Sequence, residues 1–557
     1  MAIARASSVA LTGLDATMVE VEAETGAGLP RTVVAGLPDA ALHESMDRCR
    51  AAVTAAGLRW PAGSVRIDLL PAGLPKAGSH YDMAIIAAVL AATGDVAAER
   101  VAALYAAGTV MLGEVGLDGA VRPVRGVLPA LMGARDAGAT LAYVPAAQMG
   151  EASLAGGLAI QPVADVRGLV AALNGRPIPL KPGPALERPP AEEVVFPAAL
   201  DLRTVLDVAA AGGHHVLLNG GTSQERAMFA KTLAAVLPDL TTAKALQVAQ
   251  IRSLAGQSLN GQLDMRPPLA VADPNITMAG LLGGGARMAR PGAVSLAHLG
   301  ILDMPDAPNL AQNGLEALRQ PMVDGQVLLA RSHGRVEFPA RFQLVAGADK
   351  CPCGNPGPCG CTPAQMRRWD ARISGTIADR IDIETTLRPP QNLAHTPTGG
   401  TPWRVSENVA DAASRAAEAR DRMAFRLRET GWTTSAQMPG VYARHELGTD
   451  ADALIQHQTD TGRLSVRKAD AAAKLAWTVA DLAGHDRPTG ADVQQALSLA
   501  APDVATPAEA DINPAFAIAQ AQNGLGNPGM ASRGSAGPAS AAPSAPTLAP
   551  PAAGLTA

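Results

Sequence analysis

Four of the chain's five cysteines fall within eleven residues, as Cys351-Pro352-Cys353-Gly354 and, five residues on, Cys359-Gly360-Cys361. Four thiolates suit a closed tetrahedral Zn²⁺ site, and the intervening glycine and proline supply the tight turns of a small knuckle. The C-x-C spacing is tighter than the usual C-x-x-C, so bound zinc stands beside free or reversibly oxidised thiols as the alternative. Just after it, Met366-Arg367-Arg368-Trp369-Asp370-Ala371-Arg372 places a basic strip on a helix, which faces either DNA or solvent. Gly280 to Gly292 contains a triple glycine and two arginines. Lacking a strand-to-helix context, it reads as a mobile pore-facing loop and not as a phosphate cradle.

The elements that must position these groups come in pieces, because 557 residues exceed one hydrophobic core. Residues 1–170 alternate strand-type runs such as Val65-Arg66-Ile67-Asp68-Leu69-Leu70 with Ala-rich helical stretches, an α+β pattern. A Pro-rich linker is expected over 171–200. From 201 to 400 helices alternate with apolar strands such as Val216-Leu217-Leu218, as in a parallel α/β sheet. A helical domain follows over 401–505, and a Pro/Ala/Ser/Gly tail over 506–557 is expected to be disordered. A net charge of −5 confines any nucleic-acid contact to a local basic strip. The scarcity of aromatic residues, 3%, argues against a base-stacking module. Without an apolar run of about 18 residues or a signal-type start, no membrane contact is expected and the chain is assigned to the cytoplasm.

Pro71-Ala72-Gly73-Leu74-Pro75-Lys76-Ala77-Gly78-Ser79, Gly113-Glu114-Val115-Gly116-Leu117-Asp118-Gly119 and Arg122-Pro123-Val124-Arg125-Gly126 resemble the N-terminal domain of the ComM/YifB family. That family belongs to the magnesium-chelatase-like AAA+ ATPases. The resemblance extends to about residue 503 and implies a Lon-protease-like N-terminal domain, an AAA+ P-loop-type core and a C-terminal helical lid. It also implies a hexamer that uses ATP and Mg²⁺ to drive branch migration of DNA during natural transformation. Aligned on Pro75-Lys76-x-Gly78, the Lon nucleophile position holds His80 and its lysine position Leu128, with Ser79 one residue away. No activated hydroxyl follows from such a set, so the domain reads as non-catalytic.

Where the resemblance places G-x-x-x-x-G-K-[ST], the chain has Gly220-Gly221-Thr222-Ser223-Gln224-Glu225-Arg226-Ala227. Arg226 keeps the lysine's charge without its point contact, Ala227 has no oxygen for Mg²⁺, and Glu225 sets a carboxylate where phosphates would lie. Two lost charge-assisted contacts weaken nucleotide binding by about two to four decades. Pro305-Asp306 stands at the family's Asp-Glu pair, leaving Asp306 as the remaining catalytic carboxylate and Asp303 as a substitute only if the strand slips by two residues. Asp349 stands at an Asn sensor position. Arg380 resembles the arginine that reaches a neighbouring subunit's phosphate, and Arg467 the lid sensor of the ATP site. The expected protein is a nucleotide-impaired pseudo-ATPase with a structural or regulatory role, in a homo-hexamer or a mixed ring with an intact family member. An active helicase with an atypical loop and a magnesium chelatase subunit of tetrapyrrole synthesis are the alternatives.

Overall fold

The computed structural model describes residues 2–36, 40–176, 202–259, 261–285, 288–331, 334–354, 359–373, 377–387 and 409–502. The expected tail and most of the expected linker lie outside these residues. The helix Val166–Leu173 runs across the boundary expected at 170. Residues 1–504 form one compact unit.

Alternation of small apolar and charged residues makes Asp15–Gly26 a strand that buries Val19, Val21 and Ala23 and exposes the opposite face. It pairs antiparallel with Ala2–Thr12 through the tight turn at Gly13, in the register Ala2↔Thr25 to Thr12↔Asp15. These two strands lie inside a seven-stranded mixed sheet whose outer members are Arg31–Ala35 and Ala159–Val163. The helix Asp82–Thr93, apolar on all sides after its first residue, is buried almost throughout against this sheet. Asp82 at its start accepts the Val115 amide and pairs with Arg48.

The second sheet has five strands in the order Leu269–Val271, Ile301–Met304, Gln343–Ala348, Val216–Gly220, Ile383–Leu387, every neighbouring pair parallel. Parallel sheets are covered on both faces, which is why Gln343–Ala348 is buried at every position. The helices Val409–Leu427, Thr449–Asp460, Val466–Ala483 and Gly490–Ala500 have no core of their own. Met423, Ile455 and Trp477 join Leu206, Val216, Leu218 and Phe229 in one cluster. Polar clamps fasten them to the sheet domain. Buried His214 bridges Asp382 and Thr478, at 2.8 Å on each side, and Arg415 forks onto Asp207.

The segment 280–292 is not the free loop expected of it. Its ends pair as Gly283–Gly284 with Arg290–Pro291, and Met288 and Ala289 pack with Leu11, Leu14, Val336 and Phe338. The hairpin turn between the first two strands thus lodges against Val336 and Phe338. Gly13 is required there, since it has φ +67° and a Cβ would meet Val336 Cγ1 at 2.7 Å. Leu128 donates its amide to Ser253 Oγ, whose hydroxyl donates to Glu151, so the expected Lon lysine position lies in this same seam. Among the described residues no helix is long and apolar enough to cross a membrane.

A candidate nucleotide site filled from within

The strand Val216–Gly220 ends on two consecutive left-handed glycines, Gly220 at φ +77° and Gly221 at +66°, which reverse the chain at once. Thr222 then caps the helix Ser223–Val236. A phosphate loop would stay extended for several residues so that its amides converge on an anion. Here Gln224, Glu225, Arg226 and Ala227 are already helical. Thr222 Oγ1 accepts the Glu225 amide at 3.2 Å, and Glu225 Oε2 accepts the Thr222 amide at 2.6 Å. This reciprocal capping box puts a carboxylate of the chain itself against the positive end of the helix, where phosphate would otherwise sit.

Arg226 turns inward, its side chain 2% exposed. Its Nε donates to the Pro305 carbonyl at 2.7 Å, and Nη1 donates to the carbonyls of Gly220 and Gly221 and to Asp349 Oδ1 at 2.9 Å. Ser223 Oγ takes Nη2 at 3.3 Å. The guanidinium passes so close to Gly347 that a Cβ there would meet Arg226 Cδ at 2.5 Å. The loop therefore presents carbonyl oxygens to an internal cation and not amides to an anion. Gly220, Gly221, Ser223, Arg226 and Asp349 are brought together; Thr222 and Glu225 close the helix end beside them.

Asp306 begins the short turn Ala307–Asn309, where its Oδ2 accepts Asn309 Nδ2 at 2.8 Å. Asp303, 2% exposed within the strand, has a buried Oδ1 without a hydrogen-bond partner among the described residues. Burial pushes its carboxyl up to about 7, against the pull of Arg226 and with a push from Asp273. Asp306 Oδ1 is likewise buried without a hydrogen-bond partner among the described residues. Sequence reasoning missed Lys350, whose Cε lies 3.1 Å from where a Cβ on Gly220 would be, because nothing in the sequence pairs those positions.

Arg380 and Arg467 are not part of this cluster. Val216 pairs with Ile383 at one end of these two strands and Gly220 with Leu387 at the other. Arg380 precedes Ile383, so a five-residue strand, about 16 Å, separates it from the loop. Arg467 Nη1 pairs with Asp379 Oδ2, which also precedes the start of that strand. The structure thus separates Arg467 from the loop with which the sequence reading grouped it.

The four thiols converge: the Sγ atoms of Cys351, Cys353, Cys359 and Cys361 all lie within 4.8 Å of one another. Four sulfurs at 2.3 Å from one Zn²⁺ would stand about 3.8 Å apart, so the set could hold a metal ion. Trp369, buried in the following helix Pro363–Ile373, donates Nε1 to the Asp349 carbonyl at 2.7 Å, tying that helix to the Arg226 partner. Arg367 and Arg368 stay exposed, while Arg372 donates to the Pro308 carbonyl. In the first domain, Ser79 donates to the Glu114 carboxylate, and His80 Nε2 meets the Val9 carbonyl at 2.7 Å. The group that faces this hydroxyl is the Glu114 carboxylate.

Residues 198–394 match the family described as Magnesium chelatase, subunit ChlI, residues 21–148 match Subunit ChlI of Mg-chelatase, and residues 406–500 match its C-terminal part. An uncharacterized protein of Mycobacterium tuberculosis is 40% identical over 89% of this chain and 98% of its own length. YifB of Salmonella typhimurium, also uncharacterized, is 32% identical over 90% of this chain and 98% of its own. The chain belongs to the ComM/YifB family of magnesium-chelatase-like proteins. Within the family, the competence protein ComM of Haemophilus influenzae is 29% identical over 87% of this chain and 95% of its own. This family member combines the parallel-sheet α/β architecture with a loop whose helix end and cation are both engaged internally.

Proposed function

We propose that this chain is a nucleotide-impaired member of the ComM/YifB family with a structural or regulatory role in a ring, formed with itself or with an intact member. One observation carries the reading. The Arg226 guanidinium is fixed on Asp349 and three backbone carbonyls, inside the space a phosphate would need. ATP and Mg²⁺ do not fit these residues. Phosphate binding would have to displace the Glu225 carboxylate from the helix end and break the Arg226–Asp349 pair, with Ala227 supplying no metal-facing oxygen.

The cysteines fit a structural metal. Cys351, Cys353, Cys359 and Cys361 would hold Zn²⁺ as a closed four-sulfur site, a brace without an open coordination position. That brace begins two residues after Asp349 and would stiffen the strand end that holds Arg226. Exposed Arg367 and Arg368, on the helix that follows, are the groups of this region available to a nucleic-acid backbone.

Equilibrium titration of the full chain with labelled ATP and Mg²⁺ tests the reading. No saturable binding up to millimolar nucleotide is expected. Micromolar binding would overturn it, and DNA-stimulated hydrolysis would then assign this chain the working ATPase activity.

A further inference from the structure

The seat of Arg226 and the thiol cluster are built on consecutive residues. Asp349 accepts Arg226 Nη1 at 2.9 Å, Lys350 brings its Cε to 3.1 Å from where a Cβ on Gly220 would be, and Cys351 is the first thiol. Gly354 folds back over the same carboxylate. It has φ +58°, and a Cβ there would meet Asp349 Oδ2 at 3.1 Å. Cys351 is buried, whereas Cys353 and Cys359 are exposed. The set thus joins the seat to the surface.

The helix Pro363–Ile373, which starts two residues after Cys361, closes the arrangement. Trp369 Nε1 donates to the Asp349 carbonyl at 2.7 Å, and Arg372 Nη1 donates to the Pro308 carbonyl at 2.8 Å. Arg226 uses the same two strand ends, through Asp349 Oδ1 and the Pro305 carbonyl. One helix therefore spans the two chain segments between which the guanidinium is held. Four sulfurs within 4.8 Å of one another are the groups that can close the chain between Asp349 and this helix, and closing a loop restricts how far its ends can part.

We propose that the thiol cluster is a latch on the Arg226 plug: with Zn²⁺ on Cys351, Cys353, Cys359 and Cys361, Asp349 and the helix Pro363–Ile373 are fixed and the guanidinium stays in the loop, and loss of the metal loosens it. Trp369 is the positioning residue that carries the effect from the helix to Asp349. Such coupling is reciprocal, so a change at Arg226 must alter zinc affinity by the same factor. The inference rests on the metal reading of the thiols and on the reading of the loop as filled by Arg226.

Amide hydrogen exchange of the full chain, zinc-loaded and after chelation, tests it, with zinc counted by emission spectroscopy. Chelation is expected to accelerate exchange in the helix Ser223–Val236 by about tenfold and to leave the strand Asp15–Gly26 unchanged. In Arg226→Ala, whose seat is already empty, chelation should add little. The same variant should bind Zn²⁺ about tenfold more weakly in competition with a chelator of known affinity. Trp369→Phe should keep its zinc and lose most of the effect of chelation on the helix. Chelation that removes the zinc without changing exchange in the helix, or that accelerates it equally in Arg226→Ala, would overturn the proposal and leave the metal site standing. Acceleration that extends equally to Asp15–Gly26 would overturn it as a general loss of structure. A chain that binds no zinc would overturn both the proposal and the metal reading, while the filled loop is tested separately by the titration with ATP.

Discussion

Replacing Arg226 by alanine separates an internal structural cation from a phosphate-binding one. A cation waiting for phosphate would be solvated, and its removal would alter stability by no more than the about 0–1 kcal/mol of an exposed charge. Arg226 is instead 2% exposed and Asp349 32% exposed, at 2.9 Å. Breaking a fully buried pair costs about 3–5 kcal/mol, and partial hydration of the abandoned Asp349 reduces this. The carbonyls of Pro305, Gly220 and Gly221 lose their donor as well. About 3 kcal/mol is expected. In a chain of several packed parts, one global unfolding midpoint is a poor readout, so amide hydrogen exchange in the helix Ser223–Val236 is the assay. At about 1.4 kcal/mol per decade, exchange there should accelerate about a hundredfold. Asp349→Ala should accelerate it less, and the double variant should fall short of the product of the two, by about 1–2 kcal/mol of coupling. Unchanged exchange in Arg226→Ala, or strict additivity with Asp349→Ala, would refute the internal pair.

Asp303 has a carboxyl raised by burial to about 7, so as pH rises the unfolded chain releases this proton before the folded one does. Its burial should therefore lower stability progressively from about pH 4 to about pH 7, at about 1.4 kcal/mol per unit. Asp303→Asn should slow amide exchange in the strand Ile301–Met304 relative to wild type at pH 8 and match it near pH 4; an advantage independent of pH would exclude the titration as its cause. The cysteine cluster predicts about one zinc per chain by emission spectroscopy of protein prepared without chelators. Cys353→Ser or Cys359→Ser should lose it, and a metal-free wild type that folds normally would leave the four thiols as plain thiols.

Much of this protein can be read from residue types at fixed spacing. Family membership is legible in local words such as Pro71 to Ser79 and Arg122 to Gly126. The absence of a lysine and a metal-facing hydroxyl at Arg226 and Ala227 is a fact of composition that folding cannot reverse. The parallel sheet announces itself because strands buried on both faces must be continuously apolar, as Val216-Leu217-Leu218 is. The convergence of the thiols is nearly local too, since all four lie within eleven residues.

Only the tertiary structure decided what replaced the missing contacts. Arg226 meets Asp349 and Pro305 because the strand order sets Val216–Gly220 beside Gln343–Ala348, and that beside Ile301–Met304, and strand order is not encoded in any one strand's residues. The parallel direction of Val216–Gly220 and Ile383–Leu387 puts Arg380, with Arg467 on the neighbouring Asp379, at the strand end away from the loop, a direction that a motif in sequence does not reveal. Gly280 to Gly292 reads as a free loop because glycine signals backbone freedom. The apolar cluster of Leu11, Leu14 and Phe338 with Met288 exists only once these distant segments have packed together. Residue types set which chemistry was lost, while the packing of distant segments determined which groups moved into its place.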